Sequence, residues 1–88
     1  MYLHVGKGKN IKDKDIIGIF DLDTATVSSI TKNYMNKKQK EKSVEYADTD
    51  LPRSFIVCVE KKKEKIVLSR ISSVGLKERA RLNIVEEP

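Results

Sequence analysis

The 88 residues make one domain spanning 1–88, and a domain of that size buries only about 60 to 65% of its unfolded surface; with 6% aromatics and no Trp it is short of large core anchors, which implies self-association. Its single cysteine, Cys58, excludes an internal disulfide and suits a reducing cytoplasm. A net charge of +5 admits a nucleic-acid partner, whereas no apolar run approaches the roughly 20 residues that cross a bilayer, and the first residues, MYLHVGKGK, lack the apolar core of a signal peptide.

Tyr2 to Val5 is predicted as a short strand, followed by the turn Gly6-Lys7-Gly8-Lys9-Asn10, rich in residues that tolerate positive φ. Ile11 to Lys14 leads into a central strand, Ile16-Ile17-Gly18-Ile19-Phe20, whose unbroken apolar character calls for a sheet covered on both faces. Asp21, Asp23 and Thr24 are capping residues and place a helix start near Thr24 or Ala25. Along that helix Val27, Ile30 and Tyr34 form an apolar stripe with Met35 beside it, and Lys32, Lys37, Lys38, Lys40 and Lys42 take the other positions.

Val44 to Tyr46 reads as a brief strand, and Asp48 to Pro52 as a loop that Pro52 keeps out of any ladder. Arg53 to Glu60 and Lys65 to Ile71 form a hairpin around a charged tip. Within it Phe55, Val57 and Val59 alternate with Ile56 and Cys58, so both faces are apolar; a helix would cover one and a neighbouring subunit the other. Ser72 or Ser73 caps a final short helix through Leu82, weakened by Gly75, and the tail frays. The resulting class is α+β: a small, twisted, mostly antiparallel sheet with one amphipathic helix and a short C-terminal helix.

The charge is segregated along the chain. Residues 1 to 23 are neutral, residues 24 to 42 carry five Lys against Glu41, and Lys61 to Lys65 hold four Lys against Glu64. Glu45, Asp48 and Asp50 make an acidic patch near Arg53. One subunit therefore shows no continuous basic stripe, although repetition in a ring would build one. The two lysine-rich segments read either as solvated surface or as phosphate contacts.

Enzymatic chemistry has little to work with. Cys58 and His4 are the one possible nucleophile and base, without a third orienting group, and read as a core residue and a strand residue. One Cys and one His fall short of a zinc site, so Asp21 and Asp23 read as capping and turn residues. Gly6-Lys7-Gly8-Lys9 lacks the spacing of a phosphate loop. No catalytic residue, metal ligand, cofactor or small-molecule substrate is expected.

Four segments, MYLHVGKG, DIIGIFDLDTATVSSITK, LPRSFIVC and KIVLSRISS, together resemble the RemA/RemB family of small extracellular-matrix (biofilm) regulators, most of all its RemB-type members. The resemblance runs over nearly the whole chain. It implies a bacterial α/β protein related to half of a LytTR-type DNA-binding domain, assembled into a ring, with RemA members binding promoter DNA. RemA-like proteins place an arginine where this chain has Asp15 and an arginine pair where it has Asp50 and Leu51, leaving Arg53 of that basic cluster, with Lys12 and Lys14 at adjacent positions.

Two functions follow as expectations. The first is a cytoplasmic, non-enzymatic transcriptional regulator that forms a ring-shaped homo-oligomer and binds double-stranded DNA through Lys12, Lys14 and Arg53. The second is a ring-forming protein-interaction module with weak or no DNA binding, in which Asp48 and Asp50 replace the DNA site.

Overall fold

The structure, a computed structural model, describes residues 2–22, 29–48 and 51–86, with side chains as far as residue 80. Strands β1 (Tyr2–Gly6) and β2 (Lys9–Lys12) pair antiparallel as a separate hairpin. Its turn passes through Gly8 at φ 74°, a left-handed position that glycine adopts without penalty. A single 3-10 turn, Asp13–Asp15, leads into β3 (Ile16–Asp21). Helix α1 (Ser29–Lys40) and β4 (Val44–Tyr46) follow, then β5 (Ser54–Glu60), β6 (Lys63–Ser69) and helix α2 (Ser73–Glu86).

The main sheet has the order β3-β5-β6-β4, antiparallel except for the parallel pair β4 and β6. The α+β, mostly antiparallel architecture is thus the expected one. Alternation on β5 and β6 supplies two apolar faces. Ile56, Cys58 and Val67 pack beneath Leu3, Val5 and Ile11 of the hairpin and Leu76 of α2. Phe55, Val57, Ile66 and Leu68 pack on the opposite side against Tyr34 and Met35 of α1.

Several tertiary ties hold the hairpin and α2 in place. The Ser69 hydroxyl donates to the Val5 carbonyl and Arg79 Nη1 to the His4 carbonyl at 3.2 Å. Ser72 caps α2, its Oγ accepting the Gly75 N–H at 3.1 Å, as its position ahead of the helical run foretold. Gly6 permits the hairpin's close approach to the loop after β4: a Cβ there would stand 2.6 Å from Ala47 Cβ.

The structure corrects some expectations. The face of the sheet assigned to a neighbouring subunit is covered by the chain's own hairpin and α2. The strand at residues 16–21 lies at an edge, not at the centre: among the described residues β3 has β5 as its one partner, its register slips between Ile16 and Gly18, and Ile17 and Phe20 are 60% and 42% exposed. The central position goes to β5, which is paired on both sides. Tyr34 and Met35 cover the sheet as the stripe predicted, but Ile30 is 79% exposed at the start of α1; Val27 and the helix start near Thr24 lie outside the described residues. Asp21 ends β3 directly ahead of Leu22, which is helical. The hairpin tip is tighter than expected, because Lys63 and Glu64 continue β6 opposite Glu60 and Val59. Helix α2 runs four residues beyond Leu82 in sequence, to Glu86.

Candidate nucleic-acid interface

The turn between β5 and β6 consists of Lys61 and Lys62 alone, at φ 53° and 66°. Positive φ at both positions of a two-residue hairpin is the geometry that Asn-Gly fills most easily, because its twist matches that of the strands. Helix α1 ends in a similar way. Ser43 N–H bonds the Lys38 carbonyl at 2.9 Å and Lys42 N–H the Gln39 carbonyl at 3.0 Å, with Lys42 at φ 58° in the position glycine usually takes. Each left-handed lysine costs about 1 kcal/mol relative to glycine.

These two turns lie at the same end of the molecule. The Ser43 carbonyl, one residue past the α1 cap, accepts the Ile66 N–H at 2.9 Å, and Lys38 reaches Glu64 at 3.6 Å. The Tyr34 hydroxyl also donates to Glu64. That bond, followed by the Lys38 charge, holds the Glu64 carboxyl below its ordinary value, while burial first and Glu64 second push the Tyr34 hydroxyl up.

Glu41, Glu45, Glu60 and Glu64 are engaged internally. Lys38 takes Glu41 at 3.3 Å as well as Glu64, and Lys65 takes Glu60 at 2.8 Å and Glu45 at 3.1 Å. Lys37, Lys40, Lys42, Lys61, Lys62 and Lys63 are exposed, and make no ion pair among the described residues. The lysine-rich helix end and the hairpin tip, two separate runs in the sequence, thus form one basic pole.

The phosphate contacts expected from the sequence are divided. Lys12 and Lys14 line a shallow depression of about 230 Å³ with Tyr2 and Asp13. They precede β3, whose Ile16 pairs with Cys58 near the hairpin-tip end of β5. Arg53 precedes β5 at the other end, where Asp21 pairs with Ser54 and Leu22 N–H bonds the Arg53 carbonyl at 3.0 Å. Seven strand residues separate Arg53 from that tip, roughly 20 to 25 Å. The acidic patch dissolves too. Glu45 is bonded by Lys9 at 2.8 Å and by Lys65, Asp48 lies 3.5 Å from Arg70 Nε, and Asp50 is outside the described residues.

Between β3 and α1 runs an apolar groove of about 360 Å³, walled by Ile17, Phe20, Ile30, Tyr34, Phe55 and Val57. Phe20 stacks on Phe55 with ring centroids 5.1 Å apart, which fixes the groove floor. Cys58 is buried on the opposite face, where burial pushes its thiol up, the reverse of what an activated nucleophile needs. His4 is exposed on β1, with Nδ1 3.1 Å from Asn10 Oδ1. No described helix is long and apolar enough to cross a membrane.

No family model matches the chain. It is, however, 39% identical over 80 residues to extracellular matrix regulatory protein B of Bacillus subtilis (strain 168), an alignment covering 91% of this chain and 90% of that protein. The chain belongs to the RemB family. In this RemB-family protein the sequence shows the two halves of the basic pole, each open to phosphate contact, but not their meeting, because β4 and the whole of β5 separate them. A local signal was available at the tip: two lysines between strands that alternate to Glu60 and from Lys63 require a two-residue turn, which demands positive φ at both.

Proposed function

We propose that the chain is a non-enzymatic, DNA-binding transcriptional regulator of extracellular-matrix (biofilm) genes, acting in the cytoplasm as a ring-shaped homo-oligomer. The relationship to a protein named as a matrix regulator carries this reading. The segregation of charge supports it: a chain of net charge +5 that pairs Glu41, Glu45, Glu60 and Glu64 with its own lysines leaves other cations for an external anion. Self-association draws support from the open groove and from the exposed edge strand beside it.

Lys12, Lys14 and Arg53 are proposed phosphate contacts at the two ends of the sheet. Each lost phosphate contact lowers the slope of log K against log salt by about 0.9. Lys14→Glu combined with Arg53→Glu should therefore weaken binding on every sequence and flatten that slope, with the oligomer intact. A mobility-shift titration against promoter and random duplexes across a salt series measures it. Wild-type protein that fails to bind even at low salt refutes the DNA reading. The alternative reading, a ring-forming protein-interaction module, then stands, and the apolar groove is the feature that favours it.

A further inference from the structure

We propose that the basic pole built from the C-terminus of α1 and the β5–β6 turn grips the phosphate backbone of duplex DNA, with Lys42, Lys61 and Lys62 as its central contacts. This inference rests on the DNA-binding reading and assigns it a surface that Lys12, Lys14 and Arg53 do not include.

The first support is conformational. Every non-glycine residue with positive φ among the described residues is a lysine, and these are Lys42, Lys61 and Lys62. All sit at one end of the fold, in turn and cap positions where Gly or Asn serves the backbone better. A solvated surface gives no reason for that choice, since Asn-Gly in the same turn is also soluble and more stable. Lysines in the last turn of α1 have an ordinary explanation, because they complement the negative end of the helix dipole. The hairpin tip has no dipole to complement. Nor does Lys at the tip guard an open strand edge, as edge lysines do, because β5 and β6 are paired with each other up to Glu60 and Lys63.

The second support is electrostatic. Glu41, Glu60 and Glu64, the carboxylates within and flanking the two turns, are taken up by the two partly buried lysines Lys38 and Lys65. The outer lysines consequently present one sign of charge to solvent from two adjoining turns. Those turns carry no apolar side chain: the tip is Lys61 and Lys62 between Glu60 and Lys63, and the α1 end is Gln39 to Ser43. Binding at a lipid surface normally combines basic residues with apolar ones that enter the acyl boundary. A charged phosphate backbone needs only the cations, which favours the duplex.

The test uses the full chain and a random-sequence duplex titrated by fluorescence anisotropy across a salt series. The variant Lys42→Gly/Lys61→Asn/Lys62→Gly removes three charges while giving each turn its preferred residue. It should unfold at a denaturant midpoint equal to or above wild type, yet bind more than tenfold more weakly, with a salt slope reduced by about 2 to 3. A second variant, Lys37→Gln/Lys40→Gln/Lys63→Gln, changes cations in ordinary backbone conformations and should show the same loss of slope. Lys7→Gln/Lys77→Gln, with both positions outside the pole, should bind nearly as wild type. Wild-type binding with an unchanged slope in the first two variants overturns this inference alone. Binding lost equally in the Lys7/Lys77 variant reduces it to a net-charge effect and overturns it too. No binding by wild type refutes the DNA reading together with it, and capture by anionic phosphatidylglycerol vesicles in place of duplex names a different partner.

Discussion

Lys65 shows how single side chains join the hairpin to the sheet. Burial opposes its charge, but its bonds to Glu60 and Glu45 outweigh that and hold its pKa above the ordinary lysine range. Glu45 is held below its ordinary value of 4.5, first by the bond from Lys9 on β2 and then by those from Lys65. A lowered carboxyl pKa contributes stability above the unfolded value and loses it as pH falls through the folded one. The denaturant midpoint should accordingly fall on acidification from about pH 5 downward. Glu45→Gln should cost about 1 kcal/mol or less at neutral pH, as partly exposed pairs do, and should flatten that acid limb. A variant with the full wild-type limb would show that Lys9 and Lys65 do not hold Glu45 in solution. These roles were invisible in the sequence, where Glu45 looked like part of an acidic patch, because its partners come from strands 36 residues before it and 20 after. Phe55 was legible, since the alternation on its own strand set its face.

Strands β3 and β5 illustrate what periodicity can and cannot resolve. Both are nearly continuous apolar runs, IIGIF and FIVCV, and each alone satisfies the pattern of a fully covered strand. Position in the sheet separates them, and that depends on which strands return to pair with which. β5 lies between β3 and β6 and buries Phe55, Ile56, Val57 and Cys58; β3 ends the sheet and leaves Ile17 out. Ile56→Ala should therefore destabilise by about 2 to 5 kcal/mol through lost transfer energy and a residual cavity. Ile17→Ala, read at a concentration where the chain is monomeric, should stay within about 0.5 kcal/mol, as surface substitutions do. Chemical denaturation of the pair decides it; equal losses there would mean that another element of the same chain buries Ile17. The same non-locality hid the cover on the second face. Nothing in the local pattern of Tyr2 to Lys12 says that this hairpin folds over Ile56, Cys58 and Val67, whereas the capping serine of α2 was readable from its own neighbours.

At the level of the whole chain, the proposed self-association draws on an open boundary between elements. It no longer rests on an uncovered sheet face, because the hairpin and α2 close that face and α1 closes much of the other. What stays open is a boundary: the groove between β3 and α1, with Ile17 and Ile30 exposed at its rim, next to a strand with one ladder side unused among the described residues. At the other end of the sheet β4 is likewise an edge. Two different open edges on one chain suit head-to-tail contacts, which close into a ring when the rotation per subunit allows and into a filament when it does not. A second copy seated against the groove would bury Ile17 and Ile30 without disturbing the core beneath. Ile17→Asp with Ile30→Asp should thus convert the oligomer to a particle with the mass of one chain, measured by light scattering after size exclusion. Its unfolding midpoint, read at a concentration where the wild type is also monomeric, should match wild type within about 0.5 kcal/mol. An oligomer that survives both charges assembles through some other surface, and a wild-type chain that is monomeric at micromolar concentration removes the ring from the proposed function. In that last case duplex binding by the basic pole would have to come from single subunits, and its salt slope would be limited to the few phosphates one pole can reach.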